Sequence, residues 1–211
     1  MAYVIEAKNE KRHLECLPLR FALAADLKTT TTDNLAGGDG VGVVEIDRAR
    51  EEELETLRGF LNHVISEGMT YPQLSTLDEV GFRAYFLSHD AFVARDPNTQ
   101  EVLGTFYIKP NFPGRCGHIC NGGFITKPSA QGKGVGKAMG KAFLSLAPQL
   151  GYRAAMFNLV FESNVPSVRL WRSLGFKQIG RIPQAGLLAH GEYVDALMLH
   201  YDFTAPPTLS E

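Results

Sequence analysis

The 211 residues contain three cysteines, Cys16, Cys116 and Cys120, an odd and sparse set that argues against a disulfide scaffold and suits a reducing compartment. No apolar run approaches the ~20 residues of a membrane-spanning helix. The opening stretch lacks the apolar core that a secretory signal requires, and it mixes Lys8, Lys11, Arg12 and His13 with Glu6, Glu10 and Glu15, whereas transit peptides are poor in acids. The expected location is cytoplasmic, with a mitochondrial fraction compatible. An excess of either charge is also missing: 21 Lys+Arg against 23 Asp+Glu leave a net charge of -2, so nothing argues for nucleic acid or an anionic membrane as partner. Neither an internal repeat nor a linker between two domains is present.

What is there is an ordinary globular balance, 45% hydrophobic and 21% charged, enough apolar material for one sizeable core. Residues 1–211 read as one domain, with 1–50 an N-terminal extension. That extension holds two strand-like runs, Tyr3 to Ala7 and Leu14 to Leu27, and a Thr/Gly-rich polar loop over 29–40.

Val41 to Asp47 reads as a strand. Leu54, Leu57, Leu61, Val64 and Ile65 then recur at helical spacing behind the acidic turn Glu51 to Glu53, and the helix should end near Gly68. A second helix is expected from Leu77 to Ser88, with Val80, Tyr85 and Phe86 inward. Ala91 to Arg95 and Val102 to Lys109 flank the turn Asp96-Pro97-Asn98-Thr99 and form a hairpin. A strand follows over His118 to Thr126. Val135, Met139, Ala142, Phe143 and Leu146 mark one face of a helix that Pro148 and Gly151 end. Ala154 to Phe161 is a buried strand, Pro166 to Leu174 a short helix closed by Gly175, and Lys177 to Ile182 and Val194 to Phe203 are the last strands, joined by a loop with Gly186 and Gly191. The order implies a mixed α/β fold with helices on both faces of the sheet.

The most informative segment runs strand, glycine loop, helix: Phe124-Ile125-Thr126, then Gln131-Gly132-Lys133-Gly134-Val135-Gly136. Successive backbone N–H groups at a helix N-terminus make an anion site, to which Lys133 and Lys137 add charge. Neither nucleotide motif fits, because Lys137 stands where a P-loop and a dinucleotide fingerprint each need glycine. What fits is Q-x-x-G-x-G, which resembles the pyrophosphate loop of the GNAT acetyltransferases. Asn164-Val-Pro-Ser167-Val-Arg-Leu170-Trp171-Arg-Ser-Leu174-Gly175-Phe176 resembles a second segment of that family.

A narrower resemblance is carried by Tyr71-Pro-Gln-Leu74, Leu103 to Asn111, Arg115 to Phe124 and Phe157-Asn-Leu-Val-Phe161. These are similar to the fungal L-azetidine-2-carboxylate N-acetyltransferases, GNAT enzymes that detoxify proline analogues. The resemblance implies a GNAT fold whose mostly antiparallel sheet splays at the acetyl-CoA site, a homodimer, and a small imino acid as acceptor. It also implies residue roles. Backbone groups of Phe124, Ile125 and Thr126 would pair with pantetheine, and Gln131, Gly132, Lys133, Gly134, Val135 and Gly136 would hold the pyrophosphate. Asn164 and Ser167 would brace the cofactor end. The N–H groups from Gly122 to Phe124 would meet the oxyanion, Asn121 would hold the acceptor nitrogen, and Asn158 with Leu159 would shape the acceptor pocket. As an amide inside an apolar run, Asn158 needs a partner in any case.

Trp171 stands where many of these enzymes carry a proton-donating Tyr, and an indole cannot be that acid. Tyr107, Tyr152 and Tyr193 remain unranked as substitutes, and His118 is a further candidate for proton transfer. Cys116-x-His118-x-Cys120 invites a zinc reading, but the ends of a five-residue strand lie ~13 Å apart, too far for one ion. Two rivals stay open: a GNAT enzyme for another amine, such as a polyamine, an amino acid or a protein N-terminus, and a non-catalytic acyl-CoA sensor.

Overall fold

The computed structural model describes residues 5, 13–23 and 42–205. Tyr3 to Ala7, apart from residue 5, the end of the Leu14 to Leu27 run and the 29–40 loop lie outside the described residues.

Nine strands form one sheet among the described residues: β1 (Leu19–Ala22), β2 (Val43–Arg48), β3 (Asp90–Arg95), β4 (Val102–Pro110), β5 (Ile119–Asn121), β6 (Phe124–Thr126), β7 (Ala154–Phe161), β8 (Lys177–Leu187) and β9 (Tyr193–Asp202). The path runs β1-β2-β3-β4-β5-β7-β9-β8, with β6 also on β4. Every pairing is antiparallel except β5 with β7. Four α-helices complete the fold: α1 (Leu54–Glu67), α2 (Glu79–Phe86), α3 (Val135–Gln149) and α4 (Val165–Ser173). None of the described helices is long and apolar enough to cross a membrane.

The sheet separates two cores because successive strand residues point to opposite faces. Phe92, Ala94, Phe106 and Ile108 join Val135, Met139, Phe143 and Leu146 of α3 and Trp171 of α4 on one side. On the other, Ala91, Val93 and Tyr107 join Leu57 and Leu61 of α1 and Phe82 and Phe86 of α2.

The heptad-like stripe of α1 buries as its spacing requires, with Leu54, Leu57, Leu61 and Ile65 all buried. The helix stops at Gly68, which takes the left-handed φ of 63° that favours glycine. Of the acidic turn before it, Glu53 is not a mere dipole charge. Arg95 is fully buried, and its Nε and a terminal nitrogen donate to the two Glu53 oxygens at 2.5 and 2.7 Å. Burial raises the Glu53 carboxyl, but the Arg95 hydrogen bonds, the Arg50 backbone N–H and the charges of both arginines together outweigh it and hold the group below its usual range.

Three expectations need correcting. Helix α2 starts at Glu79 because Asp78 caps it, accepting from Gly81 N–H at 2.7 Å, and this turns Val80 outward, 76% exposed; Phe82 takes the inward place. Gly186 lies inside β8, opposite Val194, since β8 runs to Leu187; a Cβ there would meet the Phe161 ring at 2.7 Å. The single strand expected over His118 to Thr126 is broken into β5 and β6 at Gly122-Gly123.

Candidate active site

The break at Gly122-Gly123 leaves the register with β4 unchanged: Lys109 faces Asn121 and Phe106 faces Phe124. Aromatic rings press on the backbone there from both faces. A Cβ on Gly123 would lie 2.5 Å from Tyr107 Cε1, and one on Gly122 would lie 2.9 Å from rings of Phe124 and Phe143. Only glycine admits such approach.

The neighbour on the far side is lost at the same point. Strand β5 pairs with β7 at Ile119↔Ala154 and Cys120↔Ala155 and no further, so β6 and the rest of β7 diverge. Hydrogen bonds from Tyr107 N–H to Gly123 O (3.2 Å) and from Lys127 N–H to Leu103 O (2.9 Å) identify the odd-numbered residues of this stretch as those bonded to β4. The backbone groups of Phe124 and Thr126 therefore turn into the splay. Ile125 does not fit the role expected of it: its backbone faces Thr105 of β4 and its side chain is buried in the α1 core. Gly122 is a second correction, because its N–H donates to Asn121 Oδ1 at 2.8 Å and is not left over for an oxyanion.

Gln131 to Gly136 follow β6 directly. Gln131, Gly132 and Lys133 are exposed. Gly132 and Gly134 have φ of 76° and 85°, values that the turn demands and L side chains resist. Gly134 is the N-cap of α3 and offers no capping side chain, so the first N–H groups of the helix, including those of Val135 and Gly136, point at the loop without side-chain acceptors. A Cβ on Gly136 would sit 3.6 Å from Thr126 Oγ1 and 3.7 Å from Leu170, which places the loop against the end of β6 and α4. Lys133 and Lys137 are exposed beside it. A diverging pair of strand edges leading to an uncapped helix N-terminus fits an extended thioester carrier ending in phosphates.

On the α1/α2 face of the splay stand three amides. Asn111 and Asn158 bond each other in both directions, at 2.8 Å from Asn111 Nδ2 and 2.5 Å from Asn158 Nδ2. Asn121 Nδ2 donates to the same Asn111 Oδ1 at 3.3 Å. Asn158, half-buried, thus has the partner expected of an amide inside an apolar run, and it sits where β7 loses register with β9, between Phe157 and Val160. That bulge leaves Leu159 exposed. Sequence reasoning assigned no role to Asn111 or Lys109. Their signal was the alternation Tyr107, Lys109, Asn111, which puts all three on one strand face with Asn121 opposite.

Next to the amides is a phenol cluster. The Tyr85 and Tyr107 hydroxyls lie 3.4 Å apart, and burial pushes Tyr107 well above the usual phenol range. Among the three phenols left unranked, Tyr107 alone stands at the Gly122-Gly123 break; Tyr152 is buried on the α3 side and Tyr193 is exposed at the start of β9.

Trp171 is a packing residue. It is buried with ring centroids 4.6 Å from Phe124 and 4.7 Å from Phe157, and its Nε1 donates to Ser167 Oγ at 3.0 Å. Asn164 caps α4 by accepting from Ser167 N–H at 3.3 Å. The side chains of Asn164 and Ser167 thus hold α4 and Trp171 in place. His118 is exposed at the far end of β5, with Nδ1 3.2 Å from Arg115 O, and takes no part in the site. Cys116 is exposed in a 3-10 turn while Cys120 is buried in the core. Among the described residues no group of three His, Cys, Asp or Glu side chains is placed to hold a metal ion.

A splayed sheet beside a glycine turn at a bare helix N-terminus defines a class: acyl transferases that draw on a CoA thioester. The chain belongs to the Acetyltransferase (GNAT) family, whose profile matches residues 52–176, and it is an N-acetyltransferase. It is 41% identical over 171 residues to N-acetyltransferase aca1 of Schizosaccharomyces pombe, a match covering 73% of this chain and 82% of the relative. A GCN5-related N-acetyltransferase from Kribbella flavida superposes with a TM-score of 0.71 at 31% identity, covering 75% of this chain and 97% of that one. A phosphinothricin acetyltransferase from Sinorhizobium meliloti, solved with acetyl-CoA, shares the fold with a TM-score of 0.67 at 20% identity, covering 75% and 88%.

Proposed function

We propose that the enzyme acetylates the ring nitrogen of small cyclic imino acids, such as azetidine-2-carboxylate or a hydroxyproline, in a detoxifying or stress-protective role. The observation that carries this reading is the composition of the acceptor face: three amides, two phenols and one ammonium meet at the splay, and none of these groups is a carboxylate. A polyamine acceptor would call for carboxylates there.

Acetyl-CoA supplies the activated acyl group. Phe124 and Thr126 backbone groups, the turn from Gln131 to Gly136 and the N-terminus of α3 would hold it, with Lys133 and Lys137 near its phosphates. The acceptor must present an unprotonated nitrogen. Asn121 Oδ1 retains a lone pair beyond the Gly122 bond and can accept from the ring N–H, while Asn158 with Leu159 bounds the ring. The Phe124 N–H, turned away from β4, is a donor for negative charge developing on the acyl oxygen. Proton donation falls to Tyr107 or to water, because Trp171 is an indole committed to Ser167. Exposed Ile179, Ile182 and Leu187 on edge strand β8 support the expected homodimer, which sedimentation would check.

The test is thiol release from acetyl-CoA with azetidine-2-carboxylate, cis-4-hydroxyproline, spermidine and a short peptide side by side. Turnover confined to the cyclic imino acids is the expected result, and turnover of spermidine or peptide alone would overturn it.

A further inference from the structure

Lys109 carries a charge that no group of opposite sign answers among the described residues. Its Nζ lies over the rings of Tyr85 and Tyr107, 4.3 and 4.4 Å from their centroids, and donates to the Tyr85 carbonyl at 3.0 Å. Two ring faces and one carbonyl replace only part of an ammonium's hydration. Burial alone pulls Lys109 down to about 8, with no charged neighbour among the described residues offsetting it. The groups facing it are uncharged: the phenols of Tyr85 on α2 and Tyr107 on β4, and the Asn121 amide on β5. On the neighbouring strand β3, Asp90 pairs with Ile108 and so projects from the opposite face, where it binds Arg48 at 2.7 Å.

The position matters as much as the charge. Lys109 and Asn121 are direct cross-strand partners, with side chains on one face at neighbouring points. In an α-imino or α-amino acid the nitrogen and the carboxylate are separated by one carbon. An acceptor with its nitrogen at Asn121 therefore brings its carboxylate toward Lys109, where an ammonium without a counter-charge gains most from an anion.

We propose that Lys109 recognises the acceptor's carboxylate, so that the site selects α-imino and α-amino acids and discriminates against amines without an acid beside the nitrogen. This rests on the acceptor placement at Asn121 given above.

The experiment measures kcat and KM with saturating acetyl-CoA for azetidine-2-carboxylate and its carboxamide, and for alanine and alaninamide, in the wild type, Lys109→Met and Lys109→Arg. The wild type should prefer acid to amide by about tenfold to a hundredfold. Lys109→Met should lose that preference through KM for the acids while the amides change little, and Lys109→Arg should keep most of it. Acetyl-CoA affinity and the melting curve of each variant separate this from misfolding. An equal acid-to-amide ratio in wild type and Lys109→Met, or no preference in the wild type itself, overturns the proposal whatever the variants do. The imino-acid reading is scored separately, by cyclic against linear acceptors, and fails alone if alanine is preferred with the acid preference intact. No turnover of any of the four overturns both.

Discussion

Asn111 and Asn158 are joined amide to amide, each Nδ2 donating to the other's Oδ1, across 47 residues of chain. Asn111 follows the end of β4 and Asn158 sits in the bulge of β7, so the pair ties together two strands that flank the splay. Asn111 Oδ1 also takes the Asn121 amide, and one side chain thereby sets the direction of both residues assigned to the acceptor.

Asn111 is accordingly a positioning residue. Asn111→Ala should lower kcat/KM for the imino acid about tenfold to a hundredfold, with acetyl-CoA affinity unchanged and a stability loss of about 1–3 kcal/mol for the stranded amides. Combining it with Asn158→Ala should cost much less than the sum, because the two act through one network. Steady-state kinetics on the four members of that cycle decide it; simple additivity would show that the bonds do not matter to the acceptor.

Trp171 should prove dispensable to the chemistry and costly to the core. Trp171→Phe keeps an aromatic ring among Phe124, Phe157 and Phe176 while dropping the Ser167 bond, so kcat and its pH profile should stay within about threefold while stability falls by about 1 kcal/mol. Trp171→Ala should cost about 3–5 kcal/mol in urea denaturation. A collapse of kcat in a folded Trp171→Phe enzyme would show instead that the indole bond to Ser167 positions the site.

Gly134 tests the phosphate turn. With φ at 85°, a valine there is strained by roughly 1–3 kcal/mol and its side chain would crowd the N-terminus of α3. Gly134→Val should raise the acetyl-CoA KM at least tenfold and leave the acceptor KM nearly unchanged. Isothermal titration with CoA reads the loss directly, and unaltered CoA binding would move the phosphates elsewhere.

Lys109 gives a pH dependence whose sign can be worked out. The folded value of about 8 lies below the ordinary 10.5, so holding the ammonium costs stability. The cost is fully present below pH 8, on the order of 3 kcal/mol, and fades as pH rises through 8 toward 10.5, because the unfolded chain binds the extra proton in that window. Lys109→Met should therefore be more stable than wild type near pH 7, with the gap closing by pH 10. Urea melts at the two pH values check it; a variant less stable at pH 7 would mean that the rings and the Tyr85 carbonyl solvate the charge fully. The expected gain in Lys109→Met would make this residue a case of stability surrendered for recognition.

The parts of the fold that rest on neighbouring residues can be read from the chain without its tertiary contacts. The stripe of α1 from Leu54 to Ile65, the stop at Gly68 and the turn from Gln131 to Gly136 ahead of α3 are legible because helical period, left-handed glycines and backbone N–H direction are set within a few residues. The acetyltransferase class was legible for the same reason, since the phosphate turn is one contiguous segment. Tertiary structure decided what depends on partners far along the chain. Val80 and Phe82 exchange places because the Asp78 cap rotates α2, and Ile125 loses its expected role because the β4 register turns its backbone away from the splay. Asn111 reaches Asn158 only across the sheet, and Lys109 is an exceptional charge only because Tyr85, from a different element, covers it. Whether an amide has a partner or an ammonium a counter-charge is a property of the packed neighbourhood, and period and motif alone do not record it.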